Sequence, residues 1–221
     1  MSETKVLDHG LIALTDHWGH DLKPAEIART SYRNEKERTP EENEKLINYL
    51  ICHRHDTPFE FCGATFYVVM PIFVARQWVR HRAASINEES LRYVEPRREV
   101  YIPEPDRCQK QSQSNKQGSA VERVDNPAAV RVAIRTNAMG CLKTYDELIA
   151  EGLSRELARS VLPLGLYTAW YWQANLRMIL HFLSLRTDPH AQYEIRVYAE
   201  AMLEQLRPLF PTVIRVWEGE Q

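Results

Sequence analysis

Glycine is scarce in this chain, which has 8 glycines among 221 residues. Neither a GxGxxG run nor a GxxxxGK(S/T) run occurs, so the glycine turns that hold phosphates in Rossmann and P-loop proteins are missing. If the chain binds a nucleotide, arginine side chains are then expected to hold its phosphates, because a guanidinium group can give a phosphate two parallel hydrogen bonds.

Cysteine is also sparse and is not arranged for metal binding. None of the four cysteines forms a CxxC pair, and their spacing does not suggest a zinc site. They are Cys52, Cys62, Cys108 and Cys141. The pattern is typical of reduced thiols that mostly fill the core of a cytosolic protein, and it predicts no metal ion.

The chain further lacks a basic excess, a signal peptide and a long apolar run. Its net charge of −2 and pI of about 6.5 argue against a general nucleic-acid binder, which usually carries surplus positive charge. The longest apolar run, residues 66–75, is too short to cross a bilayer, and the first ten residues show no signal-peptide pattern. We therefore expect a cytoplasmic protein with neither a membrane nor nucleic acid as partner.

What the chain does have is a dense group of arginines between residues 76 and 98. This stretch is RQWVRHRAASINEESLRYVEPRR, and it directly follows the apolar run at 66–75. Guanidinium groups at the edge of a buried segment are costly unless something anionic meets them. The anionic partner could be a phosphorylated small molecule, a nucleic acid or internal carboxylates. The last is the usual case, because arginines interleaved with glutamates usually form a salt-bridged surface.

Hydrophobic periodicity predicts strands and long helices, and hence one α+β domain over residues 1–221. We predict strands or hairpins at 5–16, 65–70 and 166–173. We predict helices at 24–31, 39–53, 72–81, 126–152, 154–163, 175–185, 191–206 and beyond 208. Thr39 and Glu42 form a capping box, and Gln77, Arg80 and His81 would share one helical face. Residues 85–93 are predicted to be an extended loop, and 103–126 a polar, mobile surface loop.

Several polar side chains lie beside apolar elements, and each has an ordinary explanation when taken alone. Asn175 suits the start of a helix as its cap. Arg186 suits the last turn of a helix, and His81 is more often a packed or solvated histidine than a catalyst. Ser90 lies in no GxSxG elbow, so the sequence does not indicate a nucleophile there. Only the combination of such residues indicates a site.

That combination is Arg80-His81-Arg82, seven further residues, then Ser90, followed by Arg92-Tyr93. The run RHRAASINEESLRY resembles the RHR(x7)S signature of the flavin-dependent thymidylate synthases, and the match is highly specific. Other similar stretches lie at 55–60, 71–78, 158–159, 162–163, 175–177, 185–186 and 190–192. The resemblance covers residues 5–210, and 103–126 is the least similar part.

The resemblance implies a reaction, a set of cofactors and an assembly. Members of the family make dTMP from dUMP. Methylene-tetrahydrofolate supplies the carbon, FAD carries the hydride and NADPH reduces the FAD, so FAD is the implied cofactor and dUMP, folate and NADPH are the implied partners. The implied fold is α+β, with an antiparallel or mixed sheet flanked by long helices. The implied assembly is a homotetramer whose active sites are shared between subunits.

Carried over by position, the resemblance also implies the site residues. Those expected to bind dUMP are Gln77, Arg80, Glu88, Ser90, Leu91, Arg92, Arg159 and Arg186. Those expected to bind FAD are Ser31, Thr57, Arg80, His81, Arg82, Asn87, Glu88, Asn175, Arg177 and His181. His55 would line the cavity beside the flavin and folate. Arg186 would be the main catalytic side chain, stabilising negative charge on the uracil, whereas Ser90 would position dUMP.

Two other functions remain open alternatives. An arginine-rich RNA or phosphoprotein binder would be colourless and would bind nucleic acid in a salt-dependent way. A different flavin or nucleotide enzyme on the same scaffold would be yellow but would form no dTMP from dUMP. The pI of about 6.5 disfavours the first alternative. The match of Ser90, Arg92, Arg159 and Arg186 to the dUMP-binding pattern disfavours the second.

Overall fold

Seven strands and eight α-helices form the part of the chain that the computed structural model describes, residues 2–32 and 38–220. The strands are β1 (Ser2–Val6), β2 (Gly10–Trp18), β3 (Gly63–Pro71), β4 (Ser85–Glu88), β5 (Gln109–Gln111), β6 (Ser119–Arg123) and β7 (Tyr167–Asn175). The helices are α1 (Lys23–Ala28), α2 (Pro40–Cys52), α3 (Ile72–Trp78), α4 (Pro127–Ala150), α5 (Arg155–Ala158), α6 (Leu176–Arg186), α7 (Tyr193–Leu206) and α8 (Pro211–Gly219). This mixture confirms the predicted α+β class.

Five of the strands form one antiparallel sheet in the order β1-β2-β3-β7-β4, and β5 pairs with β6 as a separate ribbon. β1 and β2 form the hairpin predicted near the start of the chain, with Leu7 in the turn at a φ of 57°. The first residue of β2, Gly10, has no room for a side chain, because a Cβ at this position would overlap the hydroxyl group of Tyr198. β3 and β7, both predicted, pair along their whole length at the centre of the sheet.

The core lies where α3 and α6 pack against β3 and β7 and where α7 packs against β1 and β2. Trp78, the last residue of α3, is fully buried against Trp170 and Trp172 of β7. Its ring stacks on Phe182 of α6 with the ring centroids 4.5 Å apart. Burying one such aromatic side chain stabilises a fold by roughly 1.5–3 kcal/mol. This packing fixes the chain immediately before the predicted Arg80-His81-Arg82 motif.

Two helices start at the predicted residues, and local side-chain hydrogen bonds cap both starts. The hydroxyl oxygen of Thr39 accepts from the backbone N–H of Glu42 at 3.2 Å, and the Glu42 carboxylate accepts from the backbone N–H of Thr39 at 3.0 Å. This is the predicted capping box of α2. Asn126 caps α4 by accepting from the backbone N–H of Ala129 at 3.0 Å. Both helix starts are therefore encoded by a few neighbouring residues.

Two predictions around the arginine-rich stretch were wrong in detail. α3 ends at Trp78 rather than at residue 81, so Gln77, Arg80 and His81 do not share one helical face. The backbone N–H of His81 instead donates to the Trp78 oxygen at 3.0 Å, which turns the chain away from the helix axis. The predicted extended loop at 85–93 begins as β4, because β7 offers this short polar segment a strand edge.

The prediction of a mobile loop at 103–126 was also wrong in part. This polar segment contains a 3₁₀ turn, Pro105–Arg107, and the ribbon of β5 and β6. Polar composition favours exposure, and most of the ribbon is exposed. It is nevertheless anchored, because Arg107 donates two hydrogen bonds to the buried carboxylate of Glu194.

The start of the last helix, α8, is capped by a side chain that lies far away in the sequence. The Asp21 carboxylate accepts hydrogen bonds from the backbone N–H groups of Thr212 and Val213, each at 3.0 Å. Such a carboxylate satisfies donors that a helix start leaves unpaired. Along the two described ranges of the chain, no helix is both long and apolar enough to cross a membrane.

Candidate active site

A cleft of about 890 Å³ lies where α6 meets the turn that follows α3. Six residues predicted for the site line it: Arg80, His81, Arg82, Arg177, His181 and Arg186. The apolar part of the lining includes Trp172, Met178, Leu180 and Trp217. The volume lies within the range of about 300–1,000 Å³ that is usual for small-molecule sites. The structure therefore brings the cationic half of the predicted site together.

The local sequence places these side chains by ending α3 and starting α6 at the cleft. Asn175 caps the start of α6, because its side-chain oxygen accepts from the backbone N–H of Met178 at 3.0 Å. The ordinary explanation of Asn175 as a helix cap is thus correct, and its role toward FAD stays a prediction. Arg177 and His181 are four residues apart, so they project from the same face of α6.

Arg186 and His81 form a directed pair in the wall of the cleft. The Nε of Arg186 donates to Nε2 of His81 at 3.1 Å. Because arginine can only donate, His81 accepts through Nε2 and is uncharged. Burial, together with the neighbouring Arg186 and His181, lowers the pKa of His81 to about 4. The arrangement makes His81 a neutral acceptor that orients the Arg186 guanidinium group.

Arg177 contacts two carboxylates on the segment between α2 and β3. Its Nη1 donates to Glu60 at 2.6 Å, and its Nε lies 3.3 Å from the carboxylate of Asp56. Thr57, predicted to bind FAD, stands between these two acids in sequence and begins the exposed end of the 3₁₀ helix Thr57–Phe61. Arg177 and Asp56 line the cleft, whereas Thr57 does not.

Arg80 and Arg82 are exposed and differ from Arg177 in their partners. Within residues 2–32 and 38–220, neither of their guanidinium groups is paired with a carboxylate. The sequence left open whether internal carboxylates balance these arginines. Two exposed cations in the lining of a cleft, without internal ion pairs in the described ranges, favour an external anion instead.

Four of the predicted dUMP residues outside this cleft form a second group. Its members are Ser90, Leu91, Arg92 and Arg159, and the part of the chain described here does not place them in the cleft lining. Glu156 joins two of them, because Arg92 Nη2 lies 3.2 Å from its carboxylate and Arg159 Nε donates to its backbone oxygen at 3.3 Å. The Ser90 hydroxyl oxygen accepts from the backbone N–H of Arg92 at 3.4 Å.

Seven other predicted residues also lie outside the lining of the cleft, and three of them are Thr57, Gln77 and Asn175. Asn87 and Glu88 are exposed on β4, where Glu88 accepts a hydrogen bond from a β7 hydroxyl group at 2.7 Å. Ser31 is exposed on the 3₁₀ turn that follows α1. His55 is exposed and meets the ring of Tyr49 edge-on, with centroids 5.6 Å apart. Their proposed ligand contacts stay predictions.

Sequence reasoning missed a polar chain that joins Gln77 to the ribbon. The side-chain amide of Gln77 donates to Gln192, and Gln192 donates to Glu194 at 2.7 Å. Glu194 is only 3% exposed and also accepts from Arg107 at 2.7 Å. The similar stretch at 190–192 includes Gln192 and could have drawn attention to it. A glutamate in the first turn of a helix gives no sign that it is buried.

Comparison with proteins of similar sequence identifies the family. The family model described as "Thymidylate synthase complementing protein" matches residues 13–212. The flavin-dependent thymidylate synthase of Gluconobacter oxydans is 46% identical over 218 residues, covering 97% of this chain and 72% of the relative. The flavin-dependent thymidylate synthase of Wolbachia pipientis is 46% identical over 211 residues, covering 95% of this chain and 74% of the relative.

Solved structures agree with the fold. The crystal structure of PolB from Streptomyces cacaoi, a UMP/dUMP methylase bound with 5-Br dUMP, superposes with a TM-score of 0.89 and 31% identity over 96% of both chains. Its complex with 5-Br UMP gives a TM-score of 0.84 at 33% identity, over 94% of this chain and 93% of that one. The chain therefore belongs to the family of the flavin-dependent thymidylate synthases, also described as thymidylate synthase complementing proteins.

Proposed function

We propose that this chain converts dUMP to dTMP, with methylene-tetrahydrofolate as carbon donor, FAD as hydride carrier and NADPH as reductant. The observation that carries the proposal is the cleft, where the exposed arginines after α3 meet the cations of α6. Family membership supports the same reaction, because relatives at 46% identity are named flavin-dependent thymidylate synthase. The enzyme is accordingly a methyltransferase.

The residues of the cleft fit FAD. Arg80 and Arg82 can donate hydrogen bonds to a pyrophosphate, since neither guanidinium group forms an ion pair with a carboxylate in the described ranges. Trp172 and Met178 offer apolar surface to a flat ring system. The residues proposed to hold FAD are Ser31, Thr57, Arg80, His81, Arg82, Asn87, Glu88, Asn175, Arg177 and His181, with His55 beside the flavin and folate. When bound, FAD would supply hydride transfer, which side chains do not perform.

We assign the main catalytic role to Arg186. Methylation at C5 of uracil requires electron density at that carbon, and negative charge then develops on the ring. A guanidinium group fixed beside the ring stabilises that charge in a site that excludes water. Because its Nε donates to the neutral His81 and its Nη2 donates to the backbone oxygen of Gln77, Arg186 keeps Nη1 for the nucleotide.

The second group of residues is proposed to hold the rest of dUMP, together with Gln77, Arg80 and Glu88. Arg92 and Arg159 suit the phosphate of dUMP. Ser90 would position dUMP, and Leu91 would contact it through its backbone. One chain keeps this group outside the lining of its cleft, as far as the described residues extend. We therefore propose that a complete site takes residues from two copies in a homotetramer.

Exposed apolar side chains on α4 support assembly. Val132 and Met139 are 63% and 60% exposed, and they lie seven residues apart on one face of this long helix. Solvent-exposed apolar side chains on one face are a common feature of subunit interfaces. Size-exclusion chromatography with light scattering should give about four times the mass of one chain, whereas a stable monomer would contradict the tetramer.

We further propose that residues 1–221 form one domain that works in the cytoplasm. One main hydrophobic cluster joins Val6 of β1 to Trp217 of α8, so both ends of the chain share a core. All four cysteines are free thiols, as a reducing compartment requires. Limited proteolysis that released a stably folded fragment would contradict the single domain.

The experiment that tests the function is a visible spectrum of the purified protein, followed by NADPH oxidation with and without dUMP. Flavin absorption bands and oxidation that rises when dUMP is added are the expected results. A colourless protein that takes up no added FAD would overturn the flavin assignment and favour an arginine-rich binding protein. A yellow protein that makes no dTMP would favour a different flavin enzyme.

A further inference from the structure

A buried carboxylate stands next to the proposed dUMP site. Glu194 lies in the first turn of α7 and is 3% exposed. Arg107 donates to its two oxygens at 2.7 and 3.2 Å, and the Tyr101 hydroxyl group donates to it at 3.1 Å. Burial alone would raise the pKa of Glu194, but the hydrogen bonds from Arg107 and Gln192 outweigh it and hold that pKa below its usual range. Glu194 is thus an ionised group that can only accept hydrogen bonds.

This carboxylate fixes which way two neighbouring amides face. Gln192 must turn its NH₂ group toward Glu194, and its nitrogen lies 2.7 Å from the carboxylate oxygen. The carbonyl oxygen of Gln192 then faces Gln77 and accepts a hydrogen bond from the Gln77 NH₂ group. Since the NH₂ group of Gln77 is turned toward Gln192, the carbonyl oxygen of the Gln77 amide, Oε1, faces away from Gln192.

We propose that Glu194 is a positioning residue which, through Gln192, makes Gln77 a hydrogen-bond acceptor toward the nucleotide. The inference rests on the proposed function, in which Gln77 contacts dUMP. A phosphate dianion has no donor, so an acceptor cannot bind it. The donors that dUMP offers are the N3–H of uracil and the 3′-hydroxyl of the sugar. The Gln77 carbonyl oxygen, Oε1, therefore recognises one of these two groups, because a carbonyl oxygen can only accept.

The ribbon of β5 and β6 holds this chain of contacts in place. Arg107 donates from Nη1 to the Gln109 side chain at 2.8 Å and to the Ser119 hydroxyl group at 2.9 Å. Each strand of the ribbon thus contributes one acceptor to the arginine that clamps Glu194. A guanidinium group held at both ends keeps the carboxylate in one orientation.

The test is a double-mutant cycle on dUMP affinity in FAD-saturated protein, using Gln77→Met, Gln192→Met and the double variant. Each single substitution should weaken dUMP binding about 3- to 10-fold, the worth of one net hydrogen bond. The double variant should bind no more weakly than Gln77→Met alone, because Gln192 acts only through Gln77. Gln117→Met, on the exposed turn of the ribbon, is the matched control and should bind dUMP like the wild type.

Two analogues identify the donor. The loss caused by Gln77→Met should vanish with N3-methyl-dUMP or with 2′,3′-dideoxyuridine monophosphate, each of which lacks one of the two donors. A loss that persists with both analogues would place Gln77 at the phosphate and overturn the inference. Full dUMP affinity in Gln192→Met, or additive losses in the double variant, would overturn it too. Failure of the wild type to bind dUMP at all would instead overturn the proposed function.

Discussion

Arg186 donates a hydrogen bond from Nε to Nε2 of His81 at 3.1 Å, joining two residues 105 positions apart in the wall of one cleft. The direction of this bond sets the charge of the histidine, because arginine is always a donor. His81 can accept only while it is uncharged, and its pKa of about 4 keeps it so at neutral pH. The pair therefore holds a single positive charge, which sits on the arginine that we assign to catalysis.

The first prediction concerns the pH dependence of stability in the flavin-free protein. The pKa of His81 falls from its ordinary value of 6.5 to about 4 on folding. Above pH 6.5, the folded and unfolded chains both carry a neutral His81, and the residue adds no pH dependence. Between pH 6.5 and 4 the unfolded chain binds a proton that the folded chain does not, so the free energy of unfolding falls as the pH falls.

Thermal unfolding followed across this range, in the wild type and in His81→Gln, isolates the histidine from other groups. The variant should lose less stability between pH 6.5 and 4, because it has no imidazole to protonate. Parallel curves for the two proteins would show that His81 titrates normally in the fold.

The second prediction separates catalysis from cofactor binding at Arg186. Arg186→Ala should lower turnover of dUMP by about 10²- to 10³-fold, the usual cost of removing one group that stabilises developing charge. FAD affinity should change far less, because Arg80, Arg82 and Arg177 remain in the cleft. Arg186→Lys keeps a charge without the planar fork and should give intermediate turnover. Near wild-type turnover in Arg186→Ala would remove the residue from its catalytic role.

The third prediction compares two exposed arginines that have similar ion pairs. Arg177 contacts Glu60 at 2.6 Å, and Arg215 contacts Glu44 at 2.6 Å. Solvent screens exposed ion pairs, so Arg177→Met and Arg215→Met should each change the free energy of unfolding little. Only Arg177→Met should weaken FAD binding, measured by fluorescence titration of the flavin-free protein. Equal FAD affinity in both variants would take Arg177 out of the flavin site.

The fourth prediction tests whether copies share a site. Arg92→Ala and Arg186→Ala should each be nearly inactive alone, because they remove different parts of the proposed dUMP site. When the two variants are co-expressed with different tags and purified through both, about a quarter of the sites should contain both intact arginines, as random mixing in a symmetric oligomer requires. Measurable dTMP synthesis in the mixture is therefore expected. A mixture as inactive as its components would mean that one copy supplies both residues.

The sequence predicts those parts of the fold that depend on neighbouring residues. The capping box of Thr39 and Glu42 and the aromatic run of β7 carry their structure within a few positions. The end of α3 was missed because neither glycine nor proline marks it. The burial of Trp78 among aromatic side chains that are distant in the sequence helps to decide where this helix ends. β4 was missed because its polar residues become a strand only when β7 is beside them.

The candidate site divides in the same way. Arg80, His81 and Arg82 could be predicted because they form a compact motif. Arg186 lies far from this motif in the sequence, and it could be predicted because residues 185–186 resemble the family as well. The clamp of Arg107 on Glu194 could not be found, since the two residues are 87 positions apart and their burial together depends on how the ribbon meets α7. Resemblance to a family likewise names residues but does not say which hydrogen-bonding atom of Gln77 faces the ligand.

The most direct test of the account is the amount of dTMP formed from dUMP by the purified protein, measured by chromatography, as each component is withheld in turn. The account predicts dTMP only when FAD, NADPH and methylene-tetrahydrofolate are all present. Protein that holds FAD and binds dUMP but forms no dTMP in the complete mixture would contradict it. So would dTMP formation that continues in protein stripped of flavin.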